Sequence, residues 1–343
     1  MSGTYLHPPS SSDVARWSPS LLATCRRLFG DETELEEPPV PLELPFGRAA
    51  FTVKLVGREA QLEVRLDASR AALERQAAAM RVAASVGALQ VLAVEEAVPA
   101  GSGDGSPLWM LVADGPAREP LPQLIGFNLP HVEALLRGFA LSHRALHDLV
   151  LDRREELSSI PVVEARAELA RIDSRRYPRE CRWLAEHCPA GGRAVLCHGN
   201  YQPGCVWGPP ASRWDEHGGP GRGLTISNWA GAVIAPPEFD VSFTLVAFWL
   251  APYFAQHPGE RAAIKMIRNT LLTMYQHDYP GFDELDKGGL RFWPAFHCLR
   301  GMAILDGSYD SRGTPFESQD EGPLPAELRP ELERRFRQVT RQP

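Results

Sequence analysis

The segment from Val195 to Ser242 constrains the fold of this chain more than any other part of its 343 residues. Arg193–Cys197 is predicted to be a short strand that leads into a loop containing two glycines and a proline. The loop reads His198-Gly199-Asn200-Tyr201-Gln202-Pro203-Gly204-Cys205, and it is followed by Leu224-Thr225-Ile226-Ser227-Asn228-Trp229 and by Pro237-Glu238-Phe239-Asp240. The order predicts a strand, a polar loop, a second strand and then a strongly apolar core helix, Val241–Phe254.

These motifs resemble the catalytic segment of the aminoglycoside phosphotransferase and choline kinase-like family, which has a protein-kinase-like fold. The family pattern is His-Gly-Asp-x-x-x-x-Asn, then a strand that ends in Asp-Trp or Asp-Phe, then Pro-x-x-Asp. The residues that match this pattern are His198, Gly199, Pro203, Gly204, Trp229 and Asp240. The resemblance implies that His198 braces the loop through backbone hydrogen bonds, rather than acting as a base, and that Asp240 anchors the same loop.

Three positions depart from the family pattern, and they are the ones that would carry the chemistry. Asn200 stands at the catalytic aspartate position, and a carboxamide cannot accept a proton at neutral pH. Cys205 and Asn228 stand at the two metal-binding positions, where they offer a soft sulfur and a neutral carbonyl. Mg²⁺ prefers hard oxygen ligands, usually including a carboxylate. The sequence therefore predicts loss of the ordinary metal-dependent phosphoryl transfer.

The resemblance covers about residues 20–305 and implies a two-lobed, protein-kinase-like α+β fold. Residues 1–17 are predicted to be a poorly ordered tail, 18–115 an N-lobe of antiparallel sheet plus helix, and 116–343 a mainly helical C-lobe. The predicted strands of the N-lobe are Leu42–Pro45, Ala50–Val56, Gln61–Leu66, Val91–Val98 and Leu108–Val112. The predicted helices are Ser20–Phe29 with Ser18 as N-cap, Ser69–Val86, Pro130–Leu149, Val162–His187, Pro258–His277, Leu290–Leu305 and Ala326–Arg337.

Candidate nucleotide-binding residues follow from the resemblance. It sets Arg65 where kinase-like folds place the basic residue that contacts phosphates, and Glu74 where its orienting partner lies. An ordinary surface ion pair is the alternative interpretation of these two, and Lys54 is a weaker candidate for the basic role. Gly47 lies in the turn that would cover the phosphates, but a single glycine allows little close backbone approach, so a plain hairpin turn is favoured.

Other candidates are open to two interpretations. His143 or His147 matches a family histidine, and both are interpreted as packing or capping residues. Asp215, Glu216 and His217 lie in a Gly- and Pro-rich loop, Gly208–Gly223, and would replace metal ligands only if that loop folded back; a solvated loop tip is favoured. The residues that either line an acceptor pocket or simply pack are Tyr275, Phe292, Trp293, His297 and Arg300.

Composition sets the remaining limits. A net charge of −7 provides no basic field for nucleic acid and mildly favours cationic small ligands. There is no apolar run of membrane-spanning length and no signal pattern, and the six cysteines form no zinc motif, so a cytoplasmic protein is expected.

The predicted function is a pseudokinase that binds a small ligand or a protein partner. ATP binding is left open and Mg²⁺ is in doubt; the alternative is an ATP-dependent phosphotransferase for a small hydroxylated substrate, with altered metal ligation.

Overall fold

An antiparallel five-stranded sheet forms the N-terminal lobe, with the strand order β1-β2-β3-β5-β4. The computed structural model describes residues 11–37, 39–41, 50–57, 60–67, 69–97, 108–116, 119–151, 154–255, 257–311 and 325–341. The elements of this lobe are α1 (Ser11–Phe29), β1 (Val40–Pro41), β2 (Ala50–Lys54), β3 (Ala60–Asp67), α2 (Arg70–Val82), β4 (Gln90–Ala97) and β5 (Leu108–Pro116). The predicted strand at Leu42–Pro45 and the turn containing Gly47 lie outside the described residues.

Strand β3 is buried on both faces. Leu62, Val64 and Leu66 belong to the core that the sheet shares with helix α1. The opposite face carries Glu63 and Arg65, which are only 5% and 2% exposed. Residues two apart on a strand share a face, so these two opposite charges are neighbours. The charged face of β3 is turned towards the C-terminal lobe.

Helix α2 and the turn after it join the two lobes. The Ser69 hydroxyl accepts a hydrogen bond from the Ala72 amide and caps the helix. The buried side chains of α2 share one core with Trp229 and Ile226 of the C-terminal lobe. After the helix, Gly87 adopts φ 101°, and its carbonyl accepts from the Ile226 amide at 2.8 Å. A Cβ at Gly87 would lie 2.7 Å from a backbone oxygen, so the approach requires glycine.

The C-terminal lobe is mainly helical, with short strands around the His198 loop. Its helices are α3 (Leu121–Phe127), α4 (Val132–His147), α5 (Arg154–Leu157), α6 (Ala165–Ala170), α7 (Pro178–Glu186), α8 (Pro237–Leu250), α9 (Pro258–Asp278), α10 (Gly289–Leu305) and α11 (Leu328–Thr340). Its strands are β6 (Glu119–Pro120), β7 (Val195–Cys197), β8 (Val206–Gly208), β9 (Thr225–Ile226) and β10 (Val233–Ala235). Strand β7 pairs with β10, and β8 lies between β6 and β9. No helix in the described part of the chain is both long and apolar enough to cross a membrane.

The structure matches the predicted α+β fold class and corrects some boundaries. Helix α1 begins at Ser11, so residues 11–17 are helical rather than tail, and Ser18 is not an N-cap. The Ser-Pro signal was misleading because a proline inside a helix removes only one amide donor at some local cost. The predicted helix Val162–His187 is divided into α6 and α7. The turn between them includes Tyr177, which is buried in the core.

Candidate functional site

The loop between β7 and β8 is held in one conformation by its glycine. Gly199 has φ 75°, which L side chains rarely adopt. A Cβ at this position would lie 1.9 Å from the carbonyl oxygen of Gly231, well inside contact distance. The loop therefore passes directly against the chain that follows Trp229, and this close approach brings the positions of both sequence motifs together.

His198 and Asp240 hold the loop through its backbone. Asp240 Oδ2 accepts from the His198 amide at 2.6 Å, and Oδ1 accepts from the Gly199 amide at 2.9 Å. The His198 Nε2–H donates to the Ser227 carbonyl at 2.8 Å. His198 Nδ1 accepts from the Asn200 amide at 3.3 Å. These bonds tie the His198 loop to the β9 segment and to the first turn of α8, so both residues act on the backbone of the site.

Asp240 is also the centre of a buried cluster with His143 and His147. Burial alone would raise the pKa of Asp240, but hydrogen bonds from the two imidazoles hold it well below its usual range. His143 Nε2 lies 3.2 Å and His147 Nε2 lies 3.4 Å from Asp240 Oδ2. Burial and the neighbouring His147 lower the pKa of His143 to about 3, so its ring is neutral.

The same three side chains are close enough together to hold a metal ion, but their ring nitrogens are already engaged. Besides bonding Asp240, His143 contacts the Tyr275 hydroxyl at 2.8 Å through Nδ1. His147 contacts the Tyr279 hydroxyl at 2.7 Å through its own Nδ1. A metal ion would have to displace these buried hydrogen bonds. The cluster therefore serves to fix Asp240. Tyr275, one of the candidate pocket residues, lies in the core.

The three substituted positions form a connected network with Arg65. Asn228 Oδ1 accepts from Arg65 Nη1 at 2.9 Å, and Asn228 Nδ2 donates to Cys205 Sγ at 3.7 Å. Burial raises the pKa of the Cys205 thiol to about 12, so the sulfur stays protonated. Asn200 Oδ1 accepts from Gln202 Nε2 at 3.0 Å, which orients the carboxamide. The network consists of neutral groups around one guanidinium.

The buried partner of Arg65 is Glu63 rather than Glu74. Arg65 Nε donates to Glu63 Oε1 at 2.7 Å, and both side chains are buried. Glu74 instead pairs with Arg70 on the surface at 2.7 Å. The expectation that Glu74 orients Arg65 is therefore wrong. The cause is the strand itself, because residues 63 and 65 share one face of β3. Lys54 forms an exposed ion pair with Glu37, away from the network.

These side chains do not fit a Mg²⁺ ion. The two metal-binding positions of the pattern carry a protonated thiol and an amide whose oxygen already accepts from Arg65. The nearby carboxylate of Glu63 is committed to the same guanidinium. Asp215 and Glu216 supply no substitute, because both are exposed on a surface loop.

The described residues of the C-terminal lobe line at least two cavities. The larger, about 320 Å³, lies behind the His198 loop; Trp293 and His147 are among its lining residues. The smaller, about 60 Å³, lies beside Asn200. Its lining residues are Asn200, Gln202, Phe243, Val246, Ala247, Leu250, Phe254, His297, Arg300, Gly301, Ile304, Leu328 and Leu332. We call it the acceptor-side cavity. It includes His297 and Arg300 from the predicted set, and sequence reasoning missed Gln202, although it lies in the loop motif.

Comparison with known proteins identifies the fold. No protein-family model matches the sequence, and neither does any curated protein sequence. A solved protein from Ralstonia eutropha JMP134, assigned as an aminoglycoside phosphotransferase, has a TM-score of 0.60 at 16% identity, covering 95% of this chain and 99% of that chain. A thermostable mutant of aminoglycoside phosphotransferase APH(4)-Ia has a TM-score of 0.57 at 15% identity, covering 92% and 98%.

A third solved structure, the GDP complex of aminoglycoside 2'-phosphotransferase-IIIa, has a TM-score of 0.56 at 11% identity, covering 94% of this chain and 98% of that chain. The likeness extends over both lobes of each structure. It confirms the resemblance that the loop motifs indicated, at the level of the fold. This chain has the kinase-like fold of the aminoglycoside phosphotransferases.

Proposed function

We propose that this protein is a pseudokinase, a ligand-binding or regulatory protein built on the phosphotransferase fold. The observation that carries the proposal is the hydrogen bond from Arg65 to Asn228. This bond supports the proposal because the loop motif predicts that Asn228 stands at a metal-binding position, and a guanidinium bonded to it leaves little room for a cation. The ordinary mechanism requires an acceptor for the hydroxyl proton and Mg²⁺ to neutralise the phosphates. If the motif assignment is correct, the carboxamide of Asn200 and the guanidinium of Arg65 take the places of these two groups.

ATP is the proposed ligand of the cleft between the lobes. Solved mutants of APH(4)-Ia contain AMP-PNP with hygromycin B, or ADP with hygromycin B. In this chain, a phosphate oxygen that replaced Asn228 Oδ1 as the acceptor for Arg65 Nη1 would be held by a guanidinium, so binding would not need a divalent ion. The six free cysteines support a reducing, cytoplasmic location.

The test is calorimetric titration of the full chain with ATP, first in EDTA and then in excess Mg²⁺. We expect the two dissociation constants to agree within about two-fold, which is about 0.4 kcal/mol. The double variant Glu63→Gln/Arg65→Met removes both charges together, and we expect it to weaken ATP binding about ten-fold. Lys54→Met is the matched control, because Lys54 lies on the neighbouring strand outside the network. Binding that tightens strongly with Mg²⁺ would overturn the proposal.

The second candidate function is an active phosphotransferase for a small hydroxylated substrate. It is favoured by the acceptor-side cavity, which lies beside Asn200 where such a substrate would be placed. Metal-dependent turnover of ATP in the presence of a hydroxylated acceptor distinguishes the two functions. We expect none from the unaltered chain, because neither the proton acceptor nor the metal ligands are present.

A further inference from the structure

The larger cavity of the C-terminal lobe is a separate place on the molecule, and we call it the rear cavity. It is bounded by the end of α4, the segment before β7, the start of α8, the connection between α9 and α10, and the first turns of α10. The described residues that line it all belong to the C-terminal lobe, and none of them lines the acceptor-side cavity. The rear cavity is therefore distinct from the cleft between the lobes.

The ionisable side chains along the rear cavity give it an excess of negative charge. Four carboxylates face two arginines in the described lining: Asp148, Glu238, Glu284, Asp286, Arg144 and Arg193. Arg144 Nε donates to Asp148 Oδ2 at 2.8 Å, so these two charges offset each other. Asp286 accepts from the Gly289 amide at 2.6 Å and caps α10. Glu238 has neither kind of compensation.

Glu238 is a buried carboxylate without a cationic partner. It is 7% exposed, and its Oε1 accepts from the Asp286 amide at 2.8 Å. Oε2 accepts no hydrogen bond from the described residues and is not completely covered, and Glu238 forms no ion pair within the described part of the chain.

The surroundings of Glu238 supply only partial positive charge. The residue lies in the first turn of α8, where the helix N-terminus contributes about half an elementary charge. The Asp286 amide adds a dipole but no charge. A buried carboxylate without a counterion is unfavourable, because its attraction to dipoles does not repay its lost hydration. A cation that entered the rear cavity would supply the missing charge.

The size and the walls of the rear cavity favour an organic cation over a metal ion. Its volume of about 320 Å³ is at the lower end of the range for small-molecule sites, about 300–1,000 Å³. In the described part of the chain, only the buried cluster around Asp240 brings three metal-ligating side chains close enough together for an ion. Trp293, Pro236 and Pro237 add apolar wall, which suits a hydrocarbon body.

We propose that the rear cavity binds a small organic ammonium ion, with the ammonium group against Glu238 Oε2 and the hydrocarbon body along Trp293 and Pro237. An ammonium group has three N–H donors and a full positive charge, so it satisfies both needs of the carboxylate. A free amine and the lysine side chain of a partner protein share this chemistry. The inference goes beyond the proposed function, and it does not depend on whether ATP binds.

The experiment titrates the full chain by calorimetry near neutral pH with three probes of one chain length: n-pentylamine, 1-pentanol and pentanoate. We expect pentylamine to bind at least about ten-fold more tightly than pentanol, since a hydrogen bond to a charged group has about this effect. Pentanoate should bind more weakly than either, because the lining has an excess of carboxylates.

A fourth probe, Nα-acetyl-lysine N-methylamide, distinguishes the two sources of the ammonium group. Binding comparable to that of pentylamine supports a lysine side chain as the ligand, and binding of pentylamine alone supports a free amine. Pentanol binding as tightly as pentylamine, or no binding of either cation, would overturn the inference.

Variants locate the binding. Glu238→Gln keeps an oxygen that accepts from the Asp286 amide, and we expect it to remove the preference for pentylamine over pentanol. Glu260→Gln changes an exposed carboxylate in the first turn of α9 and should leave that preference intact. Gly192→Trp places an indole at the rear cavity, where its Cβ would meet only side-chain carbons of Pro236, the nearer at 3.6 Å.

Gly192→Trp retains Glu238 and should weaken the binding of pentylamine and of pentanol alike, so it tests the location even if Glu238→Gln is poorly folded. A preference for pentylamine that persists in Glu238→Gln, or pentylamine affinity unchanged in Gly192→Trp, would show that the ammonium group binds elsewhere and would overturn the inference.

Discussion

Arg65→Met tests whether the buried guanidinium and Glu63 act as one charged unit. The two side chains are 2% and 6% exposed, and Arg65 Nη2 lies 2.7 Å from Glu63 Oε1. Removing the arginine leaves the carboxylate buried without its partner, which costs about 3–5 kcal/mol of the free energy of unfolding. Loss of the hydrogen bond to Asn228 adds about 1 kcal/mol. We therefore expect a loss of about 4–6 kcal/mol.

The matched change removes both charges. In Glu63→Gln/Arg65→Met neither side chain is left as an uncompensated buried ion, so the double variant should lose much less than Arg65→Met alone. Glu63→Gln alone should also be costly, because it strands the guanidinium. A double-mutant cycle on these variants should give a favourable coupling of several kcal/mol, about the size of the stranded-charge penalty.

The assay is urea-induced unfolding, followed by tryptophan fluorescence, with the free energy of unfolding extrapolated to water. Lys54→Met is the control, and we expect no measurable change because its ion pair with Glu37 is exposed on both sides. If Arg65→Met is no more destabilising than Lys54→Met, or if the cycle shows no coupling, Arg65 and Glu63 are not a buried unit. The argument against a metal ion at Asn228 would then lose its main support.

Two further predictions concern catalysis and pH. Asn200→Asp alone should give no appreciable turnover of ATP, because Cys205 and Asn228 still offer no anionic ligand; a large gain in phosphate transfer from this one change would contradict the account. Stability should fall as the pH drops below about 6.5, because His143 and His297 take up protons in the unfolded chain and remain neutral when folded, with pKa values of about 3. The slope in urea experiments should reach about 2.7 kcal/mol per pH unit, and a flat profile between pH 4 and 6.5 would refute it.

Short-range patterns identified the parts of the site that depend on neighbouring residues. The His-Gly loop, the Asn228 strand end and Asp240 lie within one segment of the chain, and the structure brings them together. Gly199 must be glycine because the loop folds back against Gly231, a contact between nearby parts of that segment. The short strands around the His198 loop and the helix α8 that follows them leave the chain few other ways to connect these residues.

The wrong expectation for Glu74 came from the family resemblance, whereas the alternation of side chains along strand β3 points to a different partner for Arg65. The alternation of β3 was read from the sequence, and it already places Glu63 on the same face as Arg65. The expected partner on helix α2 instead forms an i,i+4 ion pair with Arg70 at the surface. An ion pair within one strand face needs no adjustment between strand and helix, whereas a pair across elements depends on how they pack.

Net charge and cavity charge lead to opposite expectations about the ligand. The whole chain carries −7, which favours cations at long range. The described residues that line the acceptor-side cavity include one arginine and no carboxylate. Long-range fields follow the sum of all charges, but binding depends on the groups that touch the ligand, and only packing selects those.

The sequence by itself determined the α+β kinase-like fold and the position of the loop at Asn200, and it predicts the loss of the usual reacting carboxylates. The strands and helices follow from hydrophobic periodicity over a few residues, and the kinase-like arrangement follows from the resemblance of the loop motifs to a known family. Tertiary structure alone decided that Arg65 donates to Asn228, and that the His297 Nε2–H donates to the Phe239 carbonyl. These contacts join residues far apart in the chain, and their distances and burial depend on how the lobes and helices pack.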